Sequence, residues 1–209
     1  MALPAFNSLV LADRLTRLDD LQQLAFGAAC CERLLPNYLA FQKESGWGNV
    51  GPIRDALNLV WLYLRGQQST SQQEINNLIV SCEAAAPDSE IYETLFVTSA
   101  QDACFAICSL LDYLVKTDPD KIVQVARYAT DSVDLYVQEI ENMLPNDPEL
   151  EQRILNHPLM QRELMKQEKD ISFIESTNIL NASFIEQLRS SNEGKGNLAS
   201  RSTGSSLAM

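Results

Sequence analysis

Histidine is almost missing from this chain: His157 stands alone among 209 residues. Any chemistry that needs two imidazoles from one chain, a multi-histidine metal site above all, is therefore excluded. Long apolar runs are missing as well, and no segment reaches the length that crosses a bilayer. The opening MALPAFNSLVLADRL has no basic residue ahead of its apolar ones, so it does not fit a secretory signal. Cysteine is sparse and odd in number: Cys30, Cys31, Cys82, Cys104 and Cys108. Five thiols in a chain of this size fit buried cysteines in a reducing cytoplasm better than a disulfide framework.

Basic residues are scarce where acids are plentiful. Residues 1–70 hold six acids and six bases, so the net charge of −12 arises wholly in 71–209. Between Glu74 and Glu141 thirteen acids face only Lys116, Lys121 and Arg127. Nucleic-acid affinity comes mainly from cations that displace counterions, so a nucleic-acid partner is not expected. There is no Walker A loop, no G-x-S-x-G elbow and no C-x-x-C pair. Gly46-Trp47-Gly48-Asn49-Val50-Gly51 matches G-x-G-x-x-G by letter, but a helical pattern precedes it instead of a strand. A glycine cap and a turn explain it without a dinucleotide.

What is present is helical punctuation. Asp19 with Gln22 three residues on predicts a capped helix from Asp20 to Leu35, and Pro36 predicts the first turn of a new one through Ser45. Pro52 opens a helix to about Leu64, and Ser71-x-x-Glu74 caps another that ends near Pro87. Ser99-Ala-Gln-Asp102 has the same capping pattern, followed by the nearly all-apolar run to Lys116. Asp118-Pro119 and Asp147-Pro148 begin two more helices; His157-Pro158 interrupts the second, and an amphipathic stretch continues to about Arg189. No sustained two-residue alternation predicts a strand. The expected fold is all-α, a single-domain bundle of about seven helices over 1–190 with a central apolar helix near 99–116. Residues 191–209, rich in serine and glycine, are expected to form a flexible tail.

Six polar or aromatic residues are candidates for a site. Glu32 falls on the apolar face of its helix with Leu21, Leu24, Ala28 and Leu35. A carboxylate there must be paired, hydrogen-bonded or protonated. It is either a structural ion pair, with Arg54, Arg14, Tyr38 or Asn37 as partner, or a ligand-facing carboxylate; the residues favour the ion pair. Arg33 points about a hundred degrees away. Asn37 and Tyr38 follow on the same segment, Trp47 sits on the glycine-flanked loop as a contact residue, and Asp102 closes its box. Two cysteine pairs on facing helices would allow zinc, but both lie in apolar runs where cysteine packs as a small hydrophobe. No metal and no cofactor is expected.

The block Cys31-Glu32-Arg33-Leu34-Leu35-Pro36-Asn37-Tyr38, with Phe41, Gly46-Trp47-Gly48 and Trp61, resembles the YjaG-like family of uncharacterised bacterial proteins. Ala85-Ala86-Pro87-Asp88, Tyr92 and Gln101-Asp102-Ala103-Cys104 extend the likeness, which covers about residues 14 to 190. The resemblance implies an all-helical bacterial cytoplasmic protein and carries no established catalytic residues. The residues therefore point to a non-enzymatic helical protein that acts through a protein partner or as a homo-oligomer. The alternative is a small-molecule-binding or hydrolase-like protein with a polar site around Glu32–Tyr38.

Overall fold

A computed structural model describes residues 5–198, and no strand forms among them. The described chain runs through nine helices: α1 (Ser8–Leu15), α2 (Asp20–Ser45), α3 (Gly51–Leu64), α4 (Gln72–Ala85), α5 (Val97–Val115), α6 (Pro119–Ile140), α7 (Leu150–Asn156), α8 (Pro158–Glu175) and α9 (Ala182–Ser190).

Local chemistry sets most of the helix starts. Asp19 accepts the Gln22 N–H at 2.8 Å while Gln22 accepts the Asp19 N–H at 3.0 Å, which begins α2. Ser71 and Glu74 make the same reciprocal pair for α4. Pro52 occupies the first turn of α3, and Pro119 that of α6 behind the Asp118 cap. Gly46 closes α2 in the left-handed region at φ 68°, so the first glycine of the G-x-G-x-x-G string is a helix cap.

Where the bundle departs from expectation, tertiary contacts outweigh the local signal. Pro36 does not start a helix; α2 runs through it without a break. Proline there forgoes one backbone bond, a loss of order 3 kcal/mol in an isolated helix, but burial of 22–35 on one side of it and of Asn37, Tyr38 and Phe41 on the other holds both halves in one line. The helix at 99–116 starts two residues early. Ser99 lies inside α5 and donates to the Phe96 carbonyl at 3.0 Å, so it caps nothing. The amphipathic stretch ending near Arg189 is cut at 176–181, where Thr177 bonds its own turn and Asn181 caps α9 by accepting the Phe184 N–H at 2.9 Å. Helix α1 was not foreseen. Asn7 caps it, and Arg14 fastens it to α8 through Glu168 at 2.6 Å and Glu175 at 2.7 Å.

The apolar α5 lies against α2, α3, α4 and α6. Its partner α2 is enclosed on more sides still, by α3, α5, α6, α8 and α9. A Cβ on Gly27 would come within 2.7 Å of Leu110 and 3.0 Å of Ile122, so this glycine sets the approach of α2 to α5 and α6. Over residues 22–35 this enclosure leaves α2 no wet face, and only its two ends reach solvent. Gln22, Gln23, Glu32, Arg33 and Asn37 are all buried and each must find a partner inside. Gln23, for one, donates to the carbonyls of Leu15 and Leu18, both at 3.0 Å.

Residues 191–198, placed by sequence at the start of a flexible tail, fold back along the bundle instead. Asn192 is 0% exposed and Asn197 2%, because their amides reach backbone and side-chain groups of the core. The remainder of the expected tail, 199–209, lies outside the described residues. Among the described residues no helix is long and apolar enough to cross a membrane.

Candidate functional site

The segment Glu32–Tyr38 does not converge on one site, because successive residues of a helix point about a hundred degrees apart. Glu32 faces α3 and α9. Its Oε1 accepts from Trp61 Nε1 at 2.7 Å and lies 3.0 Å from Arg189 Nε, an ion-pair contact along which the N–H is not aimed. The Arg189 guanidinium stacks over the Trp61 ring at 5.8 Å. Burial raises the Glu32 carboxyl above its ordinary value, and Arg189 and Trp61 oppose that rise. None of the four partners expected from sequence holds it; Arg189, 157 positions along the chain, does.

Arg33 faces α8. Its guanidinium meets Glu163 in a two-pronged pair, Nε to Oε2 at 3.0 Å and Nη2 to Oε1 at 2.6 Å. Nη1 reaches Asp170 at 3.0 Å, Asn192 Oδ1 at 2.7 Å and the Ala29 carbonyl at 3.0 Å. Lys166 pairs with the other Asp170 oxygen. Two cations and two carboxylates thus neutralise one another inside the protein, which such burial requires. Burial alone would weaken the Arg33 charge, but Glu163 and Asp170 more than reverse this. At Lys166 burial prevails, and its ammonium is held below the usual lysine range.

Asn37, one turn after Arg33, faces the same way and donates to Asn197 Oδ1 at 2.8 Å. Tyr38 turns to the other side, where its hydroxyl donates to the Ala85 carbonyl at 2.7 Å and accepts the Asn49 N–H at 3.1 Å. Trp47 is 38% exposed and rests on Phe41 and Tyr92. Asp102 caps no helix; it accepts from Ser132 on α6 at 2.8 Å, and burial pushes its carboxyl up to about 7. The cysteines are all buried and free. Burial drives the Cys30 thiol up to about 12 and raises Cys31 and Cys104, so they stay protonated. Among the described residues no group of three His, Cys, Asp or Glu could hold a metal ion.

Arg33 and Asn37 border a cleft of about 1020 Å³ between α2, α8 and the 194–198 segment. Glu32, Tyr38, Trp47 and Asp102 do not line it. Its walls hold six cations, Arg33, Lys43, Arg162, Lys166, Lys169 and Lys195, against two acids, Glu44 and Glu163. Pro36, Ala40, Phe96, Met165 and Leu198 supply apolar surface between them. Among the described residues Arg162 donates only to the carbonyls of Gly196 and Asn197, and Lys195 only to those of Ser190 and Ser191.

The arrangement has counterparts in other proteins. The family described as "Protein of unknown function (DUF416)" matches residues 11–199. The chain belongs to the DUF416 family. "Uncharacterized protein YjaG" of Escherichia coli (strain K12) is 32% identical over 98 residues, 47% of this chain and 49% of that protein. An "Uncharacterized protein" of Haemophilus influenzae is 32% identical over 117 residues, 54% of this chain and 58% of its own length. The chain thus spans about half the length of the curated relatives it matches. A DUF416 family protein from Shewanella baltica OS155 has a solved structure that superposes with a TM-score of 0.79 at 25% identity. That match covers 88% of this chain and 96% of that one. The likeness to the YjaG family read from the Glu32–Tyr38 block is thereby established, and with it the all-α fold. Much of the cleft was not foreseen. In this DUF416 chain Arg162, Lys166 and Lys169 recur at helical spacing on α8, and Lys195 stands between two glycines. That stripe was readable, but the acidic composition around it hid it.

Proposed function

We propose that this protein binds a small anionic ligand in the cleft between α2, α8 and 194–198. The carrying observation is the concentration of charge: six of the sixteen Lys and Arg residues of a chain with net charge −12 border one concavity. Random placement on an acidic surface would disperse them. Arg33 and Lys166 are balanced by Glu163 and Asp170, so the uncompensated positive charge comes from Lys43, Arg162, Lys169 and Lys195. Within a concave, partly apolar wall the fields of these four add and an anion loses less of its attraction to solvent screening. A volume of about 1020 Å³ suits a small organic molecule. Arg33 and Glu163, mutually neutralised, form a rigid floor, while Lys43 and Lys169 have no carboxylate partner among the described residues. The reading favours the small-molecule side of the two functions that the sequence left open, displaced from Glu32 to Arg33 and Asn37.

Calorimetric titration with inorganic pyrophosphate tests it. Saturable binding that weakens as salt rises is expected, with a loss of about tenfold or more in the Lys43→Glu/Lys169→Glu double variant. A wild-type response no larger than that to sodium chloride at equal ionic strength would sink the proposal.

A further inference from the structure

We infer that the amide oxygen of Asn37 is the specificity-determining group of the cleft, and that its ligand is an anion that also carries a hydroxyl or N–H donor. This rests on the anion-binding reading above.

The orientation of Asn37 follows from its neighbour. Asn197 lies 2.8 Å from the Ala129 carbonyl, which can only accept, so its Nδ2 is on that side and its Oδ1 on the other. That Oδ1 can likewise only accept, so the Asn37 atom 2.8 Å from it is Nδ2. Asn37 Oδ1 is then turned away from Asn197, and it receives no hydrogen bond from any described residue. The side chain is 2% exposed and borders the cleft, yet Oδ1 is not among the unpartnered polar atoms shut off from solvent. A buried acceptor left open only toward a cavity is costly unless something donates to it.

Such an acceptor cannot hold the anionic group, whose oxygens would face its lone pairs. A ligand that satisfies the whole cleft has two distinct ends. The anion lies toward Lys43, Arg162, Lys169 and Lys195, and a donor lies toward Asn37. Gly196 keeps the second position clear. A Cβ there would stand 3.0 Å from Pro36 Cβ and 3.8 Å from Asn37 Oδ1.

Matched alkyl phosphates and ω-hydroxyalkyl phosphates of increasing chain length, titrated calorimetrically into the full chain, separate the two ends. At one or more chain lengths the hydroxyl compound should bind about five- to tenfold more tightly than its alkyl counterpart. Asn37→Leu should erase that difference while alkyl phosphate still binds; Asn37→Ser serves if the leucine variant does not fold. Equal affinity of both series at every length, or a preference that survives both Asn37 variants, overturns the inference and leaves the anion site standing. No binding of either series removes the anion site as well.

Discussion

Glu32 and Arg33 are neighbours in sequence, both 2% exposed, yet α2 turns them into two different regions. On the Glu32 side a single carboxylate is closed in by Trp61 and Arg189 and does not border the cleft. On the Arg33 side the charge is doubled and balanced by Glu163, Asp170 and Lys166, and beyond it the wall opens into a cleft rimmed with cations. Burial of a charge is thus common to both, and of the two residues only Arg33 borders the cleft. What distinguishes a tie from a site here is what lies past the ion pair, not the pair itself.

The comparison can be broken most severely at Arg33. Arg33→Met leaves two buried carboxylates with Lys166 alone to compensate them, and chemical denaturation should register a loss of about 3–5 kcal/mol. The corresponding change on the other side, Glu32→Gln, keeps an acceptor for Trp61, and Arg189 retains Asn58 at 2.6 Å. Its cost should be nearer 1–2 kcal/mol by the same measurement; an equal loss in the two variants would erase the asymmetry. In the Lys43→Glu/Lys169→Glu variant, pyrophosphate binding should collapse while stability moves by no more than about 0.5 kcal/mol, because neither lysine has a carboxylate partner to lose among the described residues.

The smallest effect concerns Asp102, far from both regions. Its carboxyl titrates near 7 in the fold, against a reference value of 3.8. A raised carboxyl binds its proton more tightly folded than unfolded, so stability falls as pH rises from about 4 to about 7 and stays reduced above that. Asp102→Asn should therefore raise the melting temperature at pH 8, leave it nearly unchanged at pH 4, and flatten the slope between. A decrease at pH 8 would mean that the ionised carboxylate stabilises the fold through Ser132.

Much of the helical framework was legible because its signals are local. The reciprocal caps Asp19–Gln22 and Ser71–Glu74 span three residues, and the prolines at 52 and 119 act on their own turns. Local signals failed where enclosure outweighed them. Pro36 passes through the middle of α2, and Ser99 with Asp102 lies inside α5 although the similar pair Ser71 and Glu74 caps α4. The candidate site was legible in part. Arg33 and Asn37 were named from one segment, but the reason they matter sits on α8 and in 192–197, more than a hundred positions away.

By itself the sequence determined an acidic, all-helical chain, the caps that begin α2, α4 and α6, and a buried Glu32 in need of a partner. Each follows from composition or from groups within one or two turns of each other. Tertiary structure alone decided which partner each buried charge received, that residues 191–198 fold back along the bundle, and that scattered cations of an acidic chain meet around one cleft. Those outcomes depend on the packing of distant helices, and no short-range pattern encodes it.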